Sequence, residues 1–371
     1  MIVGGGPAGC ATALALHRRG FENLTVLEAG AYDAVRIGES VPPDIRLLFA
    51  ELGILDSFIA EAHQPCLGSS SSWGHDELGF NDFVVNPHGH GWHLDRLRFE
   101  RFLAAEVRNR GISLLTKSRI MELGYPANGP VELTSLNAAG ESVTLNVDFV
   151  VDASGRQSTL ATRFGAHKRV LDRLVGVTAF FEGCDQWQQG GLTLLEAVEY
   201  GWWYAAKLPG EKVAVMVATD PELVKSLRLN TITEWLSRLS ETRHVAAALG
   251  QVEYHPSRLI LVPALCHLLS PVVGNRWLAV GDAASTYDPI SSQGIYKAFF
   301  DGIEAAQAIH GFFNDESAVL DRYQSSVHAR FEDYLSNRNY FYGIERRWEA
   351  SSFWARRRSR SVVGIPDSQS S

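Results

Sequence analysis

Long apolar runs are missing from this 371-residue chain, and none reaches the roughly 18 residues that a membrane-spanning helix needs. Met1 leads straight into the strand-like Ile2-Val3 with no charged segment before it, so the expectation is an unprocessed, cytoplasmic protein with no membrane partner. Cysteine is scarce. Cys10, Cys66, Cys184 and Cys266 lie far apart, whereas zinc sites and redox pairs bring two together within a few residues, so buried reduced thiols and no metal are expected. Basic charge is in deficit, 34 Lys and Arg against 42 Asp and Glu, so the surface should repel a phosphate backbone and nucleic acid is not an expected partner. The remaining composition, 46% hydrophobic and 20% charged with 33 Gly, is that of a globular enzyme. A chain of this length divides into roughly two domains at about 100 to 200 residues each.

The start of the chain reads Ile2-Val3-Gly4-Gly5-Gly6-Pro7-Ala8-Gly9, which places GxGxxG (Gly4, Gly6, Gly9) between an apolar strand and a helix ending near Gly20. In that pattern the first glycine makes the turn, the second admits a pyrophosphate against the backbone, and the third lets helix and strand pack closely. The helix N-terminus then faces the phosphates with unpaired N–H groups. A second strand, Leu24 to Leu27, ends in Glu28, where a carboxylate accepts from a ribose diol. A lone GxGxxG is a weak signal, but strand, helix and terminal acid in this order make a strong one. Only Met1, Ile2 and Val3 precede the glycines, where a strand normally supplies about five residues, so the chain is expected to begin short of that strand's full length.

Two further strand-to-turn passages share this character. Asp148 to Val151 leads into Asp152-Ala153-Ser154-Gly155, small residues that let backbone pass close to a cofactor, although any acid-rich turn can read so. Trp277 to Val280 enters Gly281-Asp282-Ala283-Ala284 and runs through Asp288-Pro289 to Gln293-Gly294, after which Ile295, Ala298, Phe299, Gly302, Ala306 and Ile309 recur on one helical side. Asp282 can accept from a ribityl hydroxyl, and the new helix N-terminus can stabilise negative charge on a reduced flavin.

GxGxxG with its terminal Glu, then DASG, then GDAA with a downstream Pro and Gly, resembles the flavoprotein monooxygenases of the para-hydroxybenzoate hydroxylase fold over nearly the whole chain. The resemblance implies an α/β fold with FAD as cofactor, a dinucleotide domain interleaved with a mixed β-sheet substrate domain, and a C-terminal helical segment. Carried over by position, it assigns Gly4, Gly6, Pro7, Ala8, Gly9, Glu28, Arg36, Ser40, Arg96, Asp152, Gly155, Gly281, Asp282, Pro289, Gln293 and Gly294 to FAD. The expected FAD domain comprises 1–72, 94–173 and 264–317, the substrate domain 73–93 and 174–263, and the C-terminal helices 318–371.

Gly38-Glu39-Ser40-Val41-Pro42-Pro43, Asn86 to Arg96, and Gly201-Trp202-Trp203-Tyr204 with Leu208-Pro209 look like the branch holding flavin-dependent halogenases and the LodB and GoxB type flavoproteins that mature the cysteine tryptophylquinone of amino-acid oxidases. In that branch the halogenases carry a lysine a few tens of residues beyond GES. The corresponding stretch, Cys66 to Gly74, has none, the WxWxIP pattern is broken, and Lys207 does not match the lysine's place. The resemblance therefore implies delivery of oxygen from molecular oxygen to a tryptophan side chain of a partner, the precursor of a quinoprotein amino-acid oxidase. A halogenase or hydroxylase of a small aromatic substrate and a non-catalytic flavin scaffold are the alternatives. No second GxGxxG is visible, so electrons must come from a transient NAD(P)H contact or a separate reductase.

Three catalytic candidates follow, Glu39, Trp203 and Asp288. Glu39 sits in a turn where a solvated carboxylate competes with a role at the flavin. Trp202, Trp203 and Tyr204 alternate faces in a strand, as a substrate-facing wall or as sheet core. Asp288 can act as a base or cap the helix region, with the cap favoured. His88, His90 and His93 have ligand-like spacing in a glycine-rich setting without a partner acid, which argues against metal. The aromatic residues from Phe331 to Trp354 read as packing, with a docking face as the sharper alternative. The run Arg356 to Arg358 with Arg360 reads as a solvated, frayed end, with contact to an acidic patch on a partner as its alternative.

Overall fold

The computed structural model describes residues 1–124, 129–184, 187–250, 256 and 258–358. A six-stranded sheet is ordered Val273–Gly274, Trp277–Ala279, Val150–Asp152, Ile2–Val3, Thr25–Leu27, Ser113–Leu115, and all but the first strand run parallel. Ile2 pairs with both Val26 and Val151, which brings the turns after these strands to the same edge. Ile2, Val26, Val150 and Leu278 are all buried, as expected of parallel strands covered on both faces.

The helices Pro7–Arg18 and Gly294–Phe313 pack against each other at unusually close range. A Cβ at Gly302 would stand 2.8 Å from the Ala11 Cβ and 3.0 Å from the Ala8 carbonyl oxygen, so only glycine admits this approach. Ile295, Ala298, Phe299, Gly302, Ala306 and Ile309 are buried on the helix, matching the periodicity read from the sequence.

The second sheet has eight strands, ordered Ser285–Thr286, Ile260–Ser270, His167–Phe181, Lys212–Thr219, Gly201–Leu208, Leu192–Val198, Gly68–Ser72, Gly79–Asp82. It is mixed, because Leu192–Val198 and Gly68–Ser72 pair in parallel among otherwise antiparallel neighbours. The strands contributed from the first hundred residues are thus Gly68–Ser72 and Gly79–Asp82, so the boundary expected at residue 72 cuts into this strand pair. His167–Phe181 also runs through the boundary expected at 173, since one strand pairs with Ile260–Ser270 along almost its whole length.

Both faces of this sheet are covered. Val177, Trp203, Val215 and Trp235 share a core under the short helices Pro221–Ser226, Ile232–Ser240 and His244–Leu249. Trp202, Tyr204 and Met216 share another with Trp73, Tyr342, Phe353 and Trp354, supplied in part by the helices Val319–Ile344 and Ser352–Arg358. No described helix is long and apolar enough to cross a membrane.

Candidate functional site

The glycine segments meet at one place because each removes a side chain that its neighbour's backbone needs. Gly4 has φ of +111°, and a Cβ there would fall 2.1 Å from the Ala153 carbonyl oxygen; at Gly9 it would fall 1.9 Å from that of Gly4. A Cβ at Gly281, where φ is +58°, would stand 2.6 Å from the Ala8 Cβ. Gly4 to Gly9, Ala153 to Gly155 and Gly281-Asp282 are therefore mutual neighbours despite their separation in the chain. Pro7 takes the first helical turn and Ala8 is buried beneath it. Gly6 caps the helix with no described atom within 4 Å of a Cβ position, which is room for phosphate against the free N–H groups.

Glu28 closes the adjacent side. Its carboxylate accepts from Gly5 N at 2.7 Å and from Gly30 N at 2.6 Å, with lone pairs left for a diol. Tyr32, which sequence reading did not single out, donates from its Oη to the Gly5 carbonyl at 2.8 Å and braces the turn. Asp282 is half-exposed, with its Oδ1 3.9 Å from Lys297 Nζ. Lys297 is buried, donates to the Ser285 carbonyl at 2.7 Å and lies 3.5 Å from Asp301, whose Oδ2 in turn accepts from Gly281 N. The signal for this pair was present as a lysine and an acid four residues apart on an otherwise apolar helix face. Gln293 caps Gly294–Phe313, and its first turn holds neither an acid nor a side-chain cap among the described residues, so its N–H groups stay available to negative charge. The open cradle at Gly6, the carboxylate of Glu28 and this helix N-terminus without a side-chain cap bond fit an FAD.

A second cluster adjoins the first. Arg96 donates from Nη1 to the carbonyls of Ile37 at 2.5 Å and Gly38 at 2.9 Å, and from Nη2 to Glu100 at 2.7 Å; its charge also acts on Asp282. Arg36 is half-exposed, 3.4 Å from the same Glu100. The strand Ser40–Val41 pairs with Gly91–His93, placing Ser40 opposite His93. Ser40 Oγ lies 2.9 Å from Tyr204 Oη and 3.3 Å from Thr193 Oγ1, which lies 2.8 Å from His93 Nε2. Glu39 is 2% exposed between these groups, and its Oε1 has no hydrogen-bond partner among the described residues. Burial pushes its carboxyl up to about 7, against the pull of Arg96 and of the Gly38 and Glu39 backbone. The solvated carboxylate of an open turn does not describe it. The hydroxyl chain escaped sequence reading because Ser40 and His93 belong to one sheet and Thr193 and Tyr204 to another, so the four meet only where two sheets adjoin.

Several expected roles are corrected. Asp152 accepts from Ser154 N and Oγ with one oxygen and from Leu160 N and Ala161 N with the other, so it shapes the turn before Gly155 instead of reaching a cofactor. Ser40 spends its hydroxyl on Tyr204 and Thr193. Trp203 is fully buried, stacked edge-on against Trp235 and donating to Tyr200 Oη at 3.3 Å, on the sheet face under the short helices. It is sheet core, as are Trp202 and its hydrogen bond to Tyr342.

Asp288 is also structural. Its Oδ1 caps Ile290 N at 3.1 Å ahead of Pro289, and its Oδ2 accepts from Arg338 at 3.2 Å and Tyr342 at 2.8 Å. Arg338 also pairs with Asp172, and Arg357 bridges Asp172 at 2.9 Å and Asp220 at 2.7 Å. The expectation of a solvated basic end is overturned at Arg357, which is 0% exposed, and at Arg358, which donates to the Glu345 and Glu349 carbonyls; Arg360 and the serine-rich tail lie outside the described residues. His88, His90 and His93 point to separate partners, Asp44, the Gly91 carbonyl and Thr193, and no metal-ligating group occurs among the described residues.

A family model described as tryptophan halogenase matches residues 1–83 and 80–369. LodB of Marinomonas mediterranea, described as an FAD-dependent oxidoreductase, is 31% identical over 372 residues, 98% of this chain and 97% of that protein. The tryptophan 2-halogenase of Chondromyces crocatus is 24% identical over 379 residues, 98% of this chain and 72% of that enzyme. Among solved structures, the flavin-dependent halogenase CmlS superposes with a TM-score of 0.88 at 25% identity, covering 99% of this chain and 68% of its own. QhpG, a peptidyl tryptophan dihydroxylase essential for tryptophylquinone cofactor biogenesis, superposes with a TM-score of 0.72 at 23% identity, covering 100% and 79%. With nearly its whole length matched both by the family model and by a relative above 30% identity, the chain belongs to the tryptophan halogenase family.

Proposed function

We propose that this protein is a monooxygenase that hydroxylates a tryptophan side chain in a partner precursor protein, as part of building the cysteine tryptophylquinone of an amino-acid oxidase. At the coarser level it is an FAD-dependent oxidoreductase, the class named for its full-length relative LodB and for the halogenases of its family. When bound, FAD supplies electron transfer and oxygen activation. The protein's share is to hold the cofactor with Gly4 to Gly9, Glu28 and Asp282, to keep water from the junction at Glu39, and to orient the ring to be oxidised.

The observation that carries hydroxylation over halogenation is the strand Gly68–Ser72. In the segment where the resemblance places a halogenase lysine there are four consecutive serines, with Ser70 and Ser72 turned inward and buried. The buried Lys297 cannot substitute, because its ammonium is held by the Ser285 carbonyl and Asp301. The same fold in QhpG serves a peptidyl tryptophan dihydroxylase.

Halogenation of a small aromatic molecule is the second reading, favoured by the closeness of the fold to CmlS. One experiment separates the readings: reduced holoenzyme is mixed with oxygen, bromide and a tryptophan-bearing precursor of the oxidase. Gain of the mass of one oxygen atom on the precursor is the expected result. A brominated indole above background would establish the halogenase instead, and absence of oxygen consumption would leave a flavin scaffold.

A further inference from the structure

Glu39 carries a feature that FAD binding by the glycine segments does not use. The residue is 2% exposed, yet its buried Oε1 has no hydrogen-bond partner among the described residues. Leaving a buried acceptor unsatisfied is costly, and buried polar atoms are nearly always paired, so such an atom beside a site marks the place of a missing donor.

The arrangement leaves the side chain little freedom to turn away. Arg96 holds the carbonyls of Ile37 and Gly38, Leu94 N donates to the Glu39 carbonyl at 2.8 Å, and Ser40 is tied to Tyr204 and, through Thr193, to His93. Gly38 has φ of +98°, a left-handed conformation suited to glycine, with the Arg96 guanidinium 3.2 Å from its Cβ position. Backbone on both sides of Glu39 is thus fixed. On one side Arg96 leads to Asp282 of the flavin segments, and on the other Tyr204 belongs to the large sheet.

We propose that Glu39 Oε1 is the acceptor for the indole N–H of the substrate's tryptophan, making Glu39 the residue that recognises and orients the ring to be oxidised. This rests on the tryptophan-hydroxylation reading and gives it a recognition residue. An indole N–H is a donor only, and its natural partner is an acceptor with no other call on it. An ionised carboxylate there also favours the positive charge that an indole ring takes up while it is attacked by an electrophilic oxygen. The charged and titratable groups facing Glu39 are Arg96 and, behind it, Glu100 with Arg36 on one side, and Tyr204 with His93 on the other. Tyr204 and His93 are kept neutral by burial, so Arg96 is the counter-charge.

The test measures binding of a capped tryptophan peptide and its N1-methyl-indole analogue to the holoenzyme, with the visible spectrum and FAD affinity recorded in parallel. Wild type should prefer the N–H peptide by about tenfold, the value of one hydrogen bond to a charged acceptor. The preference should strengthen as pH rises through about 7, where the carboxylate forms. Glu39→Met should abolish the preference with the flavin spectrum and FAD affinity unchanged, and Glu39→Gln should keep part of it and lose its pH dependence. A preference that survives Glu39→Met is steric and overturns the assignment. So does a Glu39→Met protein that loses FAD or shifts its spectrum, because the carboxyl then faces the cofactor. Equal binding of both peptides by wild type overturns the assignment alone, whereas binding of neither overturns the tryptophan reading and the assignment with it.

Discussion

Glu39 couples the site to stability through its proton. Its carboxyl lies near 7 in the folded protein against 4.5 for the free group, so the folded state holds the proton more tightly than the unfolded one. The associated stability is fully present below pH 4.5 and is lost as pH rises through 7. The loss is at most on the order of 3 kcal/mol. Glu39→Gln has no proton to lose, so its melting temperature relative to wild type should climb between pH 4.5 and 7 in FAD-free protein and level off above. Melting curves that stay parallel across that window would show that the carboxyl holds its proton no more tightly in the folded protein than in the unfolded one. At this scale the glycines were legible from the sequence because a Cβ that cannot be tolerated is a local fact with a fixed spacing. Asp152 was misread for the opposite reason: an acid before a small-residue turn serves ligand or backbone equally well, and the N–H groups of Leu160 and Ala161 that claim it are set by the following helix.

Among elements, the Ser352–Arg358 helix is the one whose place the sequence hid most thoroughly. Three consecutive arginines near a terminus read as a solvated charge run, yet Arg357 reaches inward to Asp172 and Asp220, 185 and 137 residues earlier. Breaking a buried pair by removing one partner leaves a charge uncompensated, at a cost of about 3 to 5 kcal/mol. Arg357→Met should fall near the lower end, because Asp172 keeps Arg338 and Asp220 keeps the half-exposed Arg356. Urea denaturation should show the loss as a lower midpoint at unchanged slope. A shift within about 0.5 kcal/mol, the range of ordinary surface changes, would mean that the helix is held by Phe353 and Trp354 alone. The aromatic residues of Val319–Ile344 divide in the same way: Phe331, Tyr334 and Tyr342 are packed, while Tyr340 and Phe341 remain on the surface. Helical spacing predicted a packed stripe, but only the neighbouring sheet decides which residues fall on it.

For the whole molecule, the flavin cradle exists only in the folded chain, since Gly4 to Gly9, Ala153 to Gly155 and Gly281-Asp282 are joined by contacts spanning most of the sequence. FAD should therefore bind the folded state alone and raise its stability by about 2.7 kcal/mol at a hundredfold excess over Kd. The check is a thermal melt of stripped protein with and without FAD, beside a Gly9→Ala variant whose Cβ would collide with the Gly4 carbonyl and should show no FAD-dependent shift. An FAD-independent melting temperature in the wild type would mean that the three segments do not form a flavin site. The expectations of an α/β flavoprotein fold with an interleaved mixed sheet and C-terminal helices are met, and the solved halogenase structures share that architecture.

What the sequence determined by itself was everything that depends on short-range chemistry: the glycine turn after the first strand, the acid ending the second, the buried side of the Gly294–Phe313 helix, and a fold family written in motifs at fixed order. Tertiary structure alone decided which polar side chains are already satisfied. Hydrogen bonds and ion pairs such as Asp288 with Arg338, Ser40 with Tyr204 and Arg357 with Asp220 join residues 50, 164 and 137 positions apart. No local pattern encodes such pairings. Folding removed Asp288, Asp152 and Trp203 from the set of groups free to act and left Glu39 with one oxygen unclaimed, because a buried polar atom's role is fixed by the partner that comes to meet it.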